Sequence, residues 1–235
     1  MMTNDLISVI MSSYNSEKTV ERSILSILNQ EYKNIEFLIV DDCSVDNSLN
    51  IIKKLRESDN RIKIIENTIN LGLTKSLNKL LKISNGKYIA RQDTDDVSFP
   101  NRLTKQINFI KKTNFEIVTS RAIIKDKFVK IPRYSYLFPN KLVIKYKNPF
   151  IHGTLFAHKN VFEEVGGYDE NFYYAQDYKF YIDCYKSGRK IQIINDVLYE
   201  LNDKNNISNT NKKEQAYYFN CARKNITPTV LKTNT

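Results

Sequence analysis

The chain contains 235 residues, a length that fits one α/β domain, or one domain with a modest appendage, and argues against two full domains. Its hydrophobic share of 41%, with 15 Tyr and 12 Phe, supplies enough apolar surface for a core and excludes a disordered chain. The 36 Lys and Arg outnumber the 26 Asp and Glu, so the net charge of +10 predicts an anionic partner such as nucleic acid, anionic lipid or a phosphorylated small molecule.

Short β-branched runs alternate with amphipathic segments through the first hundred residues. Strands are predicted at 6–11, 36–40, 62–65 and 88–90, and helices at 20–28, 49–55 and 73–81. In the first and third of these helices the apolar residues recur at a spacing that places them on one face. This alternation predicts an α/β fold with a mostly parallel sheet flanked by helices.

The second hundred residues are less regular. A helix is predicted at 103–110, a strand at 155–157, a helix at 161–165 and a further helix that opens at Asp177. Residues 115–150 carry basic and tyrosine-rich segments with weak periodicity, so we expect irregular strands or loops there.

The cysteines and the apolar runs bear on where the protein works. Cys43, Cys184 and Cys221 lie far apart and form neither a disulfide framework nor a paired metal motif, so we expect a reducing, cytoplasmic compartment. The N-terminus lacks a basic segment followed by a long apolar run, and no window approaches the ~20 apolar residues that cross a bilayer. We therefore expect a soluble protein or one that is peripheral on the inner face of the cytoplasmic membrane.

Polar residues collect where the predicted strands end. Tyr14 and Asn15 follow the first strand, Asp41 and Asp42 follow the second, and the acidic run 93–96 follows the fourth. Ligands of open parallel sheets bind at the carboxyl ends of the strands. The sequence therefore predicts a ligand site at this edge.

The acidic run places Asp93, Asp95 and Asp96 within four residues. Such a group is costly unless a cation neutralises it, and Mg²⁺ or Mn²⁺ would take one or two carboxylates and complete its shell with water and phosphate oxygens. An acidic surface loop is the alternative.

A zinc site lacks ligands, since the chain has two His and no paired Cys. The P-loop, dinucleotide and nucleophile-elbow motifs are absent from the sequence.

An ordered set of segments resembles the donor half of family 2 glycosyltransferases: SVIMSSYN, IEFLIVDDCSVDNS and NLGLTKSLNKLLKISNGKYIARQDTDDVSFPNRLTKQ. Their acceptor side is similar to NPFIHGTLFAHKNVFEEVGGYDENFYYAQDYKFYIDCYKSG. The resemblance covers about residues 6–200. It implies a single-domain GT-A fold in which residues 1–100 bind the donor, residues 101–200 bind the acceptor and carry the base, and residues 201–235 form a lid or tail.

The implied activity is an inverting, metal-dependent transfer of a sugar from a UDP-sugar to a carbohydrate or lipid-linked oligosaccharide acceptor, of the kind that builds bacterial surface polysaccharide. On the donor side, the resemblance implies that Asp42 accepts a hydrogen bond from the uracil imide N–H, with Asp41 as its partner. An Asx turn at the strand end is the alternative for both. Asp93 and Asp95 match the Asp-x-Asp motif, which implies that Asp95 ligates Mn²⁺ or Mg²⁺, that Asp93 shares this site or faces the ribose or sugar, and that Asp96 supports them.

Three further residues are expected near the donor. Arg91 either contacts the donor or pairs with a neighbouring carboxylate. Tyr14 and Asn15 either face the nucleotide or serve as packing and turn residues.

On the acceptor side, the resemblance implies that Asp177 is the catalytic base, at a helix N-terminus that orients its carboxylate. A simple N-cap is the alternative. His152, Gln176 and Asp96 are candidates for contact with sugar or acceptor, and a structural role is the alternative for His152. The chain departs from the family where Gln176 replaces the commoner Glu and where Cys43 stands in place of the commoner Gly. Only Lys204 lies where the family often has a basic residue that holds the diphosphate.

Other classes remain as alternatives. A catalytically inactive sugar-nucleotide binder is left open by Gln176. Nucleotidyl transfer needs a Gly- and Arg-rich loop that residues 8–16 lack. The basic residues are spread along the chain rather than concentrated on one element, so we expect no nucleic acid partner. Instead, they either support peripheral contact with an anionic membrane or are solvated surface charges.

Overall fold

A mixed β-sheet of nine strands forms the centre of the computed structural model, which describes residues 4–202 and 211–229. The strands are β1 (Ile7–Ser13), β2 (Ile35–Asp41), β3 (Ile62–Glu66), β4 (Tyr88–Arg91), β5 (Val97–Ser98), β6 (Ile117–Ile124), β7 (Val129–Ile131), β8 (Phe156–His158) and β9 (Ile191–Leu201). They pair in the order β3-β2-β1-β4-β8-β6-β9-β5, and β7 pairs with β6 beside this path.

Helices cover both faces of the sheet. They are α1 (Val20–Leu28), α2 (Ser48–Ser58), α3 (Leu73–Ile83), α4 (Arg102–Lys112), α5 (Asn140–Val143), α6 (Lys159–Val165), α7 (Gln176–Lys186) and α8 (Lys212–Lys224). Alternate residues of β1 point to opposite faces: Val9 and Met11 join a core with α1 and α4, whereas Ile10 joins a core with α3 and α7. The predicted α/β fold with flanking helices is confirmed.

The first half of the sheet is parallel. β1 pairs in parallel with β2 and β4, and β2 pairs in parallel with β3. Ser13 lies opposite Asp41, and Ile10 lies opposite Arg91. The carboxyl ends of these strands therefore meet at one edge, and the four strands and three helices predicted for this half are confirmed.

The second half pairs differently. β8 runs antiparallel to both β4 and β6, whereas β6 runs parallel to β9. Residues 115–150, where irregular strands or loops are expected, contain β6, an eight-residue strand whose register against β9 shifts on both sides of Arg121. Its Thr119 and Ser120 are fully buried. Their hydroxyls interrupt the apolar pattern of the strand in the sequence. The Ser120 N–H donates to the Thr154 hydroxyl at 3.0 Å. The parallel pairs thus lie within β1–β4 and between β6 and β9, and the other pairs of the mixed sheet are antiparallel.

The C-terminal helix packs against the second half of the sheet. α8 contacts α7, and the rings of Tyr178 and Phe219 stack with centroids 4.1 Å apart. Part of the segment 201–235 lies outside the described residues, and so does Lys204. Among the residues that the structure describes, no helix combines the length and the apolar character needed to cross a membrane.

Candidate active site

The Asp42 carboxylate anchors the loop that leads into α3. Its Oδ1 accepts hydrogen bonds from Asn67 Nδ2 at 2.7 Å and from the Leu71 N–H at 2.8 Å, and its Oδ2 accepts one from the Gly72 N–H at 2.8 Å. Asp42 is buried, so these donors hold it rigidly. Since a carboxylate oxygen can accept two hydrogen bonds, Oδ2 retains capacity for one more.

Asp41 also lies buried at the end of β2. Its Oδ2 accepts the Ser44 N–H at 3.0 Å, which is the Asx-turn contact. Its Oδ1, together with the Ser13 hydroxyl across the strand pair, is buried with no hydrogen-bond partner among the described residues. Buried polar atoms without partners are rare and often mark a functional site.

Asn15 and Cys43 are turn residues at the same edge. Asn15 has a positive φ of 46°, and its Oδ1 accepts the Val45 N–H at 2.9 Å, which ties the β1 turn to the β2 turn. Cys43 has a φ of 64° in the left-handed region, and this explains why Gly suits that position. Tyr14 is about half exposed beside them.

Asp93 lies at the centre of the acidic cluster that also contains Asp95 and Asp96. Arg91, itself buried, donates from Nη2 to Asp93 Oδ1 at 2.5 Å, so the pairing alternative for this arginine is realised. The Asp93 N–H donates to the Tyr199 hydroxyl at 3.1 Å.

Gly153 approaches the acidic cluster closely. A Cβ atom at this position would lie 2.7 Å from Asp93 Oδ2 and 2.5 Å from the Tyr199 hydroxyl. Any larger residue would therefore displace one of these groups.

The other two carboxylates of the cluster resist ionisation. Burial and the Asp93 charge raise the pKa of Asp95 to about 6, and burial together with both neighbours raises the pKa of Asp96 well above its usual value. Asp96 is also held by the Asn202 N–H, which donates to its Oδ1 at 2.8 Å. A cation at this cluster would relieve the repulsion that raises these values.

The donor set limits how a cation would be held. Within residues 4–202 and 211–229, no group of three or more His, Cys, Asp or Glu side chains is arranged to hold a metal ion. The residues fit a hard divalent cation that takes one or two carboxylates, from Asp95 and Asp93, and draws its remaining oxygen ligands from the substrate and water.

A second buried arginine lies behind the cluster. Arg102 on α4 is fully buried and donates to the Ser98 hydroxyl and to the Arg91 carbonyl, each at 2.7 Å. Its guanidinium also lies 5.2 Å from the Tyr199 ring centroid. Burial lowers the pKa of Arg102 to about 10, which leaves it charged at neutral pH, so two buried cations support the acidic edge.

Asp177 occupies the first turn of α7. The chain enters this helix through Ala175 in the left-handed region, with a φ of 53°. Asn148 donates from Nδ2 to Asp177 Oδ2 at 2.7 Å. Burial raises the pKa of Asp177 to about 6, and the Asp93 charge contributes to this rise. A carboxylate with this pKa can accept a proton near neutral pH.

A cavity of about 310 Å³ opens beside this carboxylate. It is lined by Asn148, Ala175, Asp177, Tyr178, Gln215, Ala216 and Phe219. α8 therefore forms one wall of the pocket that contains Asp177. A larger cavity of about 640 Å³ lies between α3, α6 and α7, but none of the predicted site residues lines it.

His152 and Gln176 lie close to Asp93 and Asp177, respectively. His152 shares a hydrogen bond of 2.8 Å between its Nε2 and the Tyr168 hydroxyl. Burial and the Arg91 charge lower the pKa of His152 to about 3, so the ring is neutral. Gln176 is nearly buried at the start of α7, directly before Asp177.

The structure thus brings the predicted residues into two adjoining groups. The first group lies at the ends of β1 and β2 and consists of Asp41, Asp42, Tyr14 and Asn15. The second group lies around the end of β4 and consists of Arg91, Asp93, Asp95, Asp96, His152, Gln176 and Asp177. The Ser16 and Thr94 hydroxyls, 3.1 Å apart, join the groups.

Sequence reasoning missed Arg102, Tyr199, Gly153 and Asn148. A charged residue on the apolar stripe of α4 was the one available signal for Arg102. The other three contact the site only through tertiary structure.

Comparisons with known proteins identify the family and the fold. Over 171 residues the chain is 40% identical to "Putative glycosyltransferase EpsE" of Bacillus subtilis strain 168, covering 72% of this chain and 62% of EpsE. It is 39% identical over 149 residues to the Escherichia coli "UDP-Glc:alpha-D-GlcNAc-diphosphoundecaprenol beta-1,3-glucosyltransferase WfgD", covering 60% of this chain and 56% of WfgD. The chain thus spans about three fifths of the length of these curated relatives.

A solved structure supports the fold. The crystal structure of S. aureus TarS 1-349 in complex with UDP-GlcNAc matches with a TM-score of 0.75 at 22% identity, over 87% of this chain and 60% of that one. Residues 8–166 match the model described as glycosyl transferase family 2. Because this match covers more than half of a chain that has the GT-A fold, the protein belongs to glycosyltransferase family 2.

Proposed function

We propose that this protein is an inverting glycosyltransferase that moves a sugar from a UDP-sugar to a lipid-linked or free glycan acceptor. One observation carries the proposal. Asp177 lines a cavity, and its pKa is raised to about 6 by burial with a contribution from the nearby Asp93 charge. A base in a pocket next to a cluster of acidic strand ends suits proton removal from a hydroxyl beside a bound diphosphate.

The donor would bind across the ends of β1, β2 and β4. Two carboxylate oxygens are the candidates to accept from the uracil imide N–H: Asp42 Oδ2, which has one protein donor, and the buried Asp41 Oδ1, which has none. Tyr14 and Asn15 would border the uracil, and Asp93, paired with Arg91, would face the ribose or sugar. The names of WfgD, with UDP-Glc, and of the TarS complex, with UDP-GlcNAc, support the choice of nucleotide.

Asp95, assisted by Asp93, would hold a divalent cation, Mn²⁺ or Mg²⁺. When bound, such a cation offsets the negative charge that builds on the leaving diphosphate. Asp96, fixed by the Asn202 N–H, would support the geometry of these two carboxylates.

Transfer would proceed in one displacement. The acceptor oxygen forms a bond to the anomeric carbon while the bond from that carbon to the UDP oxygen breaks, and UDP leaves with the electron pair. The acceptor proton passes to the Asp177 carboxylate, which Asn148 keeps oriented. Attack on the face opposite the leaving group inverts the anomeric configuration. The neutral His152 and Gln176 would contact the sugar or the acceptor.

The acceptor would enter the 310 Å³ cavity, between α7 and the wall formed by α8. A lipid-linked glycan is supported by WfgD, whose name gives GlcNAc-diphosphoundecaprenol as its acceptor. This assigns part of the 201–235 segment to acceptor binding. We also propose peripheral contact with an anionic membrane in the cytoplasm, because a lipid-linked acceptor lies at that surface and the chain carries a charge of +10.

The test is UDP release from a panel of UDP-sugars, with Mn²⁺ or Mg²⁺ and then with a chelator, using wild type and Asp95→Ala. The expected result is metal-dependent hydrolysis of one UDP-sugar that is lost in Asp95→Ala. The matched control is Asp196→Ala, which removes a half-exposed carboxylate on β9 and should leave release unchanged. Metal-dependent UDP binding without turnover, even when lipid-linked acceptors are added, would instead support an inactive sugar-nucleotide binder.

The assignment of Asp41 and Asp42 to uracil recognition is tested more cleanly with a modified ligand than with a substitution. Asp42→Ala would also remove the hydrogen bonds that hold the loop before α3. N3-methyl-UDP lacks the imide proton and should bind at least about tenfold more weakly than UDP. Equal affinities would remove Asp41 and Asp42 from uracil recognition.

A further inference from the structure

A basic aromatic segment, defined as residues 125–147, forms a distinctive part of the surface. It holds seven Lys and Arg and one Asp, so 23 residues carry a net charge of +6 out of +10 for the chain. All seven basic side chains are exposed. The other 212 residues carry only +4, so the expectation that the basic residues are spread along the chain without concentration is wrong for this segment.

The same segment exposes large apolar side chains. Of the twelve exposed large hydrophobic residues in the described part of the chain, six lie in it: Phe128, Tyr134, Leu137, Phe138, Leu142 and Tyr146. Phe128 is 80% exposed and Tyr146 is 78% exposed. Single exposed apolar residues are ordinary, but a concentration of this kind marks an interaction surface.

The segment is held in place by the fold. β7 pairs with β6, and the 3₁₀ turn Ser135–Leu137 contacts α5. The Arg121 guanidinium lies 4.3 Å from the centroid of the Tyr136 ring. The exposed apolar side chains therefore belong to a segment that is paired with β6 and packed against its neighbours.

The chemistry of the surface favours a membrane over other partners. Aromatic and leucine side chains interleaved with Lys and Arg match a bilayer interface, where apolar groups enter between the headgroups and basic groups contact anionic phosphates. We propose that the basic aromatic segment docks on the surface of a bilayer that contains anionic phospholipid. This inference deepens the proposed membrane contact by naming the face that makes it.

Docking by this face would present the acceptor pocket to the membrane. The end of the segment is joined directly to the base-bearing helix, because the Tyr178 hydroxyl donates to the Ile144 carbonyl at 2.7 Å. Asn148, the next residue after the segment, donates to Asp177 at 2.7 Å. An acceptor whose lipid lies in the bilayer would then have its sugar near Asp177.

The experiment is flotation of the full chain with vesicles of phosphatidylcholine alone or of phosphatidylcholine with phosphatidylglycerol. Wild type should bind only the anionic vesicles, and salt should weaken binding. Two variants test the segment: Phe128→Ser with Leu137→Ser and Phe138→Ser, and Lys141→Glu with Lys145→Glu and Lys147→Glu. Each should lower the vesicle partition coefficient at least about tenfold.

Matched controls carry the same changes elsewhere. Ile69→Ser with Ile83→Ser and Ile226→Ser removes exposed apolar groups outside the segment, and Lys33→Glu with Lys54→Glu and Lys75→Glu makes the same change in net charge. Both controls should change partition less than about threefold.

Thermal unfolding and UDP release without membranes should be alike in all variants, which separates failure of docking from failure of sugar transfer. Three outcomes would overturn the inference: binding independent of anionic lipid, equal losses in segment and control variants, or a dimer in solution that only the segment variants dissociate. The last would show that a second copy of the chain covers this face.

Discussion

Buried carboxylates at the two ends of the sheet have pKa values that are shifted in opposite directions. At the amino ends of the strands, burial alone would raise the pKa of Glu36, but hydrogen bonds from Lys63, Ser8 and Asn85 outweigh it and lower that pKa to about 2. At the carboxyl ends, burial raises the pKa of Asp95 and of Asp177 to about 6. The protein itself supplies the hydrogen bonds that stabilise the ionised Glu36 carboxylate. The charges of Asp95 and Asp177 are left to be neutralised by whatever binds at the carboxyl ends of the strands.

The largest expected effect comes from the carboxyl end. Asp177→Asn keeps the shape of the side chain but cannot take a proton, so we expect sugar transfer to fall by roughly 10²–10⁴-fold while UDP affinity stays unchanged. The measurements are steady-state transfer rates and calorimetric UDP binding. Transfer by the Asn variant at the wild-type rate would show that another group acts as base.

At the amino end, Glu36→Gln should instead damage the fold. It replaces an acceptor that serves Lys63, Ser8 and Asn85 with a group that carries its own donors, and we expect a loss of about 3 kcal/mol in the free energy of unfolding at pH 7. Urea denaturation measures this. Glu66→Gln is the control, since its pair with Lys53 is half exposed and should contribute less than about 1 kcal/mol.

The pH dependence of stability checks the sign of the same shift. Because the folded pKa of Glu36 is lowered, its contribution is present above the unfolded value of about 4.5 and is lost as the pH falls toward 2. Wild type and Glu36→Gln should therefore converge in stability over that window. A constant gap between them down to pH 2 would contradict the assignment.

The pH dependence of activity sharpens the contrast further. Asp177 is ionised above pH 6 and protonated below it, so transfer should decline about tenfold per pH unit below 6. The residual activity of Asp177→Asn should lack this slope. If the slope persists in that variant, its source is another carboxylate of the site.

The smallest expected effect is on the stability that the protein loses by burying charged carboxylates in the acidic cluster. Asp95→Asn removes a charge that burial and Asp93 disfavour, so the metal-free protein should gain about 1 kcal/mol in stability at pH 8 while losing metal-dependent donor use. Thermal unfolding in a chelator measures the gain, with Asp196→Asn as the exposed control. A loss of stability would mean that Asp95 contributes to the fold.

The first half of the fold could be predicted because β1, β2 and β4 are buried on both faces. β1 and β2 therefore appear in the sequence as mostly apolar runs, and α1 and α3 as clear stripes. β9 was not predicted, because its apolar residues are interrupted at Asn195 and Asp196, which are exposed. Its pairing depends on β6, a partner far away in the chain.

The candidate site shows the same division. Acidic residues that directly follow predicted strands could be brought to one edge by topology alone. The groups that set their ionisation could not, since Tyr199 reaches Asp93 from 106 residues away and Asn148 reaches Asp177 from 29 residues away. The three donors to Asp42 likewise depend on how α3 packs against the sheet.

The wall that α8 adds to the Asp177 pocket has an evolutionary consequence. α8 lies outside residues 8–166, the part that matches the family, and it meets the pocket through only Gln215, Ala216 and Phe219. Under the proposed assignment, substitutions at these three positions during evolution would change the wall that meets the acceptor and leave the strand ends that would bind the donor unaltered.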